Sequence, residues 1–206
     1  MRSARHLGKI VATASPLARG HLQSDRSYLV TGGLGGIGCA VAVWLADRGA
    51  GTIVLNGRRD PDANARETIH TLRERGVNVF VELADATDTA AIDRMLDRID
   101  RSLPPLAGVI HSVGVLSDGA LTNQSWTRFE QVLWPKILAA WHLHRATESR
   151  DLDFFMLFSS RVGVMGNPGQ ANHAAANAFL DQLAAHRRAM GLPGQAIAWG
   201  GLVRDR

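Results

Sequence analysis

Four groups of residues in this chain could do chemistry. The run Thr31-Gly-Gly-Leu-Gly-Gly-Ile-Gly38 contains the spacing Gly33-x-Gly35-x-x-Gly38. Glycines so placed suit a dinucleotide: Gly33 permits a tight turn, Gly35 lets the backbone approach a pyrophosphate, and Gly38 allows close helix–strand packing. Gly36 and Ile37 then open a helix whose free N–H groups and dipole attract phosphate. Further on, Asn56-Gly57-Arg58-Arg59 stands where an acidic residue would hold the ribose 2′-hydroxyl of NAD. Arg58, with Arg59 beside it, offers charge-assisted bonds to a 2′-phosphate, which points to NADPH unless the pair is a solvated loop. Lys136 falls within an apolar helical stripe of Trp126, Phe129, Leu133, Ile137 and Ala140. A buried lysine is costly unless paired or functional, the alternative being a side chain that snorkels from the stripe edge. Pro135 removes a helix hydrogen bond beside it, so a kink is expected there. His173 belongs to a residue type that exchanges protons near neutral pH. As a metal ligand it lacks partners, since His142 and His144 lie two apart and face different ways, so no metal is expected.

The elements that must hold these groups alternate regularly. Strands are expected at Tyr28–Val30, Thr52–Leu55, Val77–Leu83, Ala107–His111, Phe154–Phe158 and Gln195–Trp199. Between them, a helix with Ile37, Val41, Trp44 and Leu45 on one stripe ends at Gly49, and a helix over 62–75 stops at Gly76. Thr87 or Asp88 caps a helix carrying Ile92, Met95, Leu96 and Ile99 at helical spacing. A long helix runs from about Ser125 to Thr147, and the last starts near Asn172 with Ala176, Phe179, Leu180, Leu183 and Ala184 inward. Near-continuous apolar strands separated by amphipathic helices mean a parallel sheet covered on both faces: a Rossmann-type, doubly wound α/β fold.

Bulk properties narrow the field. The 206 residues suffice for one domain, and 46% hydrophobic with 20% charged residues is globular composition. No apolar run is long enough to span a bilayer. The single cysteine, Cys39, cannot form an internal disulfide and fits a reducing cytoplasm. Net charge is +4, but the basic residues are scattered and lack interleaved aromatics, which argues against nucleic acid and for acidic cofactors or carrier proteins. The first 24 residues lack Asp and Glu and carry Arg2, Arg5, Lys9 and Arg19, as a transit peptide would. Gly8–Thr13, however, reads better as a short strand, and Gly20 would interrupt an amphipathic helix.

From residue 28 to about 200 the chain resembles the short-chain dehydrogenase/reductase superfamily, and more narrowly the ketoreductase domains of modular polyketide synthases. The matches run in order: Thr31–Gly38, Asn56–Arg59, Asp85, His111-Ser-Val-Gly-Val115, Trp134-Pro-Lys136, Phe158-Ser-Ser160, and Gly169-Gln-Ala-Asn-His-Ala-Ala-Ala-Asn177 with Phe179-Leu-Asp181. The resemblance implies NADPH-dependent reduction of a β-ketoacyl thioester on an acyl carrier protein, beside other domains of a synthase. It places Asp85 and Ala86 near the adenine, and His111, Ser112 and Gly114 near the nicotinamide ribose. Ser160 matches the serine that binds the ketone, Lys136 the lysine supplied by the long helix, and Asn177 the asparagine exchanged with it. Leu116-Ser-Asp118, Pro168 and Asn172 resemble groove markers of the type giving the D-alcohol, although Asp118–Gly119 also suits a plain turn.

One position departs. The family's proton-donating tyrosine is His173 here, and the only tyrosine, Tyr28, lies in the first strand. A neighbouring Lys136 cation would disfavour the imidazolium form. Two readings stand side by side: His173 is a substitute acid, or the domain is an impaired or inactive ketoreductase-like scaffold. The resemblance also implies that residues 1–24 are the tail of a preceding structural subdomain or a linker. Residues 25–206 would be the catalytic domain, incomplete at its C-terminus because Gly201–Arg206 stands where the family continues into a substrate lid.

Overall fold

The computed structural model describes residues 22–200. The strand expected at 8–13, the rest of the segment before Leu22, and the abrupt ending at 201–206 lie outside the described residues. Six strands form one sheet: β1 (Ser27–Thr31), β2 (Thr52–Gly57), β3 (Asn78–Leu83), β4 (Leu106–His111), β5 (Phe154–Ser160) and β6 (Gln195–Trp199). Their order is β3-β2-β1-β4-β5-β6 and every pairing is parallel. The helices are α1 (Gly36–Asp47), α2 (Ala63–Glu74), α3 (Thr89–Ser102), α4 (Trp126–Ala146), the single turn α5 (Val162–Met165), and α6 (Ala171–Ala189). Alternation along the strands feeds two cores. Leu29, Val54, Val109 and Phe155 face α3, α4 and α6, while Tyr28, Val30, Ile53 and Ile110 face α1 and α2. The strand order reverses between β1 and β4, so a crevice opens beyond their C-terminal ends, where such sheets take ligands.

Local signals explain most element ends. Asp62, Asp88 and Ser125 accept hydrogen bonds from Ala65, Ala90 and Arg128 N–H groups and so start α2, α3 and α4. Gly49 and Gly76, at φ of 98° and 83°, turn the chain out of α1 and α2.

Two helix faces differ from expectation in part, α4 only at Trp126, since Phe129, Leu133, Ile137 and Ala140 of its expected stripe are buried or packed against the core. On α1 the buried residues are Gly38, Cys39, Ala42 and Leu45, while Ile37 and Trp44 are exposed. The close approach of α1 to the turn after β1 admits only small residues there, which turns the bulky ones outward. On α4 the buried face is Val132, Leu133, Lys136, Ala139, Ala140, Leu143 and His144. Trp126 is exposed, because α4 presents its alanines, not its aromatics, to the main core shared with α3 and α6. The helix continues across Pro135.

Candidate active site

A cleft of about 620 Å³ follows the C-terminal edge of the sheet at the crevice, lined by the β1–α1 turn, Asn56–Asp60, Ala84–Thr87 and Ser112–Val115. The turn is built from backbone. Gly33 N–H donates to Asn56 O (3.0 Å) and Gly35 N–H to Gly32 O (3.1 Å). A Cβ on Gly38 would stand 2.2 Å from Gly32 O, and one on Gly33 would stand 2.7 Å from Val30 O. Gly35 is different: a Cβ there would meet nothing nearer than 3.5 Å. Gly33 and Gly38 therefore let the turn close, while Gly35 leaves open space in the cleft that Gly36 also lines. No acidic residue occupies the first turn of α1. A cradle of this kind fits a dinucleotide's pyrophosphate.

At the far end of the cleft Arg58 and Arg59 are exposed and have no hydrogen-bond or ion-pair partner among the described residues. Asn56 anchors this loop by donating to Glu82 O and Ala84 O, both at 3.0 Å. Asp85 Oδ1 accepts from the Thr87 N–H and hydroxyl, and Ala86 is buried beside it. Thr31, Gly33, Gly38 and His111 do not line the cleft and instead stand behind its wall. The fully buried Thr31 Oγ1 and His111 Nδ1 are 2.8 Å apart, and burial, followed by the Lys136 cation, pushes His111 down to about 3.

A second cavity, about 480 Å³, shares Ile37 and Ser112–Val115 with the first and brings Lys136, Ser160 and His173 together. Lys136 is only 5% exposed, so it does not snorkel; its Nζ donates to Phe158 O at 2.8 Å. Burial lowers its pKa to about 8, against the opposing pull of Asp181. Gly114 packs on the lysine chain, where a Cβ would sit 3.6 Å from Lys136 Cε. Ser160 ends β5, and its Oγ accepts from Val162 N–H at 3.2 Å, which leaves the hydroxyl proton free to donate. His173 lies in the first turn of α6. Burial first, then Lys136, hold its pKa below the ordinary histidine value, while Asp118 opposes them. Its Nδ1 is enclosed without a partner, so Nε2 is the nitrogen open to the cavity.

The other expected residues support this cavity without lining it. Asn177 is fully buried one turn beyond His173 and donates from Nδ2 to His173 O at 2.7 Å. Asn172, also buried, donates to Ser117 O (2.9 Å) and accepts the His173 N–H on Oδ1 (2.7 Å), so it fixes the histidine's backbone. Asp118 accepts from Gln170 Nε2 at 2.8 Å, and Pro168 is exposed on the loop before α6. Leu116 and Gln170, which lie within the family motifs, line the cavity as well, as do Arg161, Asn167 and Trp199, which no motif in the sequence singles out as site residues. Arg161 is the physically instructive omission. Following Ser160 in an extended strand it would face away, but its backbone turns into the helical region (φ −51°, ψ −24°).

Residues 26–204 match the KR domain family. The chain belongs to that family. Among curated proteins, it is 40% identical over 210 residues to a subunit of the phenolphthiocerol/phthiocerol polyketide synthase of Mycobacterium tuberculosis. It is 44% identical over 203 residues to a phenolphthiocerol synthesis polyketide synthase type I of Mycobacterium marinum. Both matches take in 97% of this KR chain but only 10% of the relative, so the chain spans about a tenth of these synthases' length. Among solved structures, an A1-type ketoreductase superposes with a TM-score of 0.86 at 41% identity, covering 94% of this chain and 41% of that one. The parallel sheet wrapped by helices is thus the KR-domain fold. Among the described residues, no helix is long and apolar enough to cross a membrane.

Proposed function

We propose that this KR domain reduces a β-ketoacyl thioester, held by an acyl carrier protein within a larger cytoplasmic synthase, to the β-hydroxyacyl thioester with NADPH. The observation that carries this reading is the shared wall. Ile37 and Ser112–Val115 border both the Arg58/Arg59 cleft and the cavity holding Lys136, Ser160 and His173. A dinucleotide lying in the cleft, with its 2′-phosphate at the two arginines, would bring its nicotinamide end to that wall. When bound, NADPH supplies the hydride.

The remaining work falls to this chain's side chains. Ser160, with its hydroxyl proton free, donates to the ketone oxygen and orients it. His173 presents Nε2 toward the same oxygen and, as imidazolium, delivers the proton that turns the developing alkoxide into the alcohol. Only the imidazolium can do so without leaving a strongly basic imidazolate, so its lowered pKa restricts the charged donor at neutral pH. Lys136 adds positive potential that stabilises negative charge on the oxygen and simultaneously disfavours the charged histidine. Asn172 and Asn177 hold the first turn of α6 from behind.

That conflict between Lys136 and His173 favours a second reading, a scaffold that binds NADPH and turns it over slowly or not at all. Fluorescence titration with NADPH, followed by NADPH oxidation with acetoacetyl N-acetylcysteamine thioester, separates the two. Binding with turnover supports the reductase, and binding without turnover supports the scaffold. The absence of binding to either nicotinamide coenzyme overturns both.

A further inference from the structure

The catalytic cavity carries two cationic side chains, Lys136 and Arg161, and no Asp or Glu lines it. The two cations are in different states. Lys136 is buried and tied to Phe158 O, deep behind the reacting position. Arg161 is exposed, and its side chain makes no hydrogen bond or ion pair among the described residues. Its backbone, by contrast, is fixed. Arg161 N–H donates to Trp199 O at 3.0 Å, and its carbonyl accepts from Val164 and Met165 N–H at 3.1 and 2.9 Å. The guanidinium is thus a free, planar set of donors carried by an anchored backbone, one residue beyond the serine that would hold a ketone.

A single ketone oxygen is already provided for by Ser160 and His173. Arg161 adds unpaired donors to the lining of the same cavity, next in sequence to Ser160. We propose that Arg161 positions the substrate by binding a second carbonyl, the thioester oxygen of a 1,3-dicarbonyl, so that the cavity selects β-keto thioesters over simple ketones. This inference rests on the reductase reading of the same cavity and adds to it a residue that positions the substrate. Gripping both oxygens fixes the rotation of the carbon between them, and with it the angle at which the ketone meets its donors. A guanidinium suits this task because it stays charged across the working pH range and can share two N–H groups with one oxygen or neighbouring oxygens.

The test is equilibrium binding to the full chain loaded with NADP⁺, which cannot reduce the ligand. Calorimetry compares acetoacetyl N-acetylcysteamine thioester with cyclohexanone for the wild type, Arg161→Ala and Arg161→Lys. The expected result is a thioester Kd raised about tenfold or more in Arg161→Ala, the scale of one charge-assisted hydrogen bond. Cyclohexanone should weaken much less, and Arg161→Lys should recover part of the loss. Equal weakening of both ligands overturns the proposal, as does a wild type that does not bind the thioester at all. Turnover with NADPH, measured separately, reports on the reductase reading: a protein that binds the thioester through Arg161 yet never oxidises NADPH refutes that reading alone.

Discussion

The cleft at the β1–α1 turn and the cavity around Lys136 and His173 share a wall but are built in different ways. The cleft is largely a backbone object. Its shape comes from Gly33 and Gly38, which touch neighbouring main chain, and from Gly35, which leaves space. The cavity is a side-chain object, in which Lys136, Ser160 and His173 converge from α4, β5 and α6. A backbone cradle tolerates almost any neighbouring side chain that leaves the turn closed. A proton relay depends on the identity of one group, and in the proposed reading that group is an imidazole beside a lysine. One half of the site can therefore remain fit for its ligand while the other changes its chemistry.

The largest consequence concerns the cradle. In Gly38→Val the new side chain collides with Gly32 O and Gly33 Cα, both main chain. NADPH binding should fall by more than about a hundredfold in fluorescence titration, with a lowered melting temperature. Gly35→Ala has room for its methyl, so it should lose binding while melting like the wild type. Loss of stability in both variants would refute the division between closing and open glycines. Next comes the relay. His173→Tyr places a phenol where Lys136 can lower its pKa, and turnover at pH 8 should rise about a hundredfold, within the range of general acid catalysis. An unchanged rate would move the fault out of position 173. Smaller again is the far end of the cleft. Arg58→Ala should weaken NADPH about thirtyfold in titration and NADH hardly at all, while equal losses would deny a 2′-phosphate contact.

The same division separates what residue order discloses from what only packing decides. The central strands are visible in the sequence because each carries an apolar run, Tyr28–Val30 in β1, Ile53–Leu55 in β2 and Val109–Ile110 in β4, and Gly49 and Gly76 mark two helix ends. The cradle is legible because its glycine spacing is itself the geometry. Lys136 is legible too, since a cation in an apolar stripe is anomalous whichever way the helix is rotated. The rotation is misjudged in part for α1, where packing buries Ala42 and leaves Ile37 and Trp44 outside, and on α4 only Trp126 departs from the expected stripe. Hydrophobicity ranks tryptophan inside, but the space beside a closely packed sheet is set by tertiary structure. Asn172 and Asn177 are expected in the groove and at the reacting centre. They are buried because each finds a main-chain partner, Ser117 O and His173 O, that only the fold supplies. Arg161 escapes notice because strand alternation ends one residue before it.

The pH dependence of the wild type offers the smallest effect and the most direct reading of the side-chain half. His173 has its pKa below the ordinary histidine value, by burial and then by Lys136. If its imidazolium is the acid, the active fraction is full below that pKa and falls about tenfold per pH unit above it. Turnover should therefore rise about tenfold from pH 8 to pH 7, measured as NADPH oxidation at saturating ketone, corrected for the coenzyme's own acid decay. Lys136, lowered to about 8, carries its charge over most of that interval, so it holds the histidine down and does not mask the slope. In Lys136→Ala the main opposing charge is gone, and the histidine limb should shift toward higher pH even as the rate falls. A wild-type profile flat from pH 6 to 8 is incompatible with a histidine acid. It would leave Ser160 and solvent as the only proton sources, and the cavity would then differ from the cleft in lacking its function altogether.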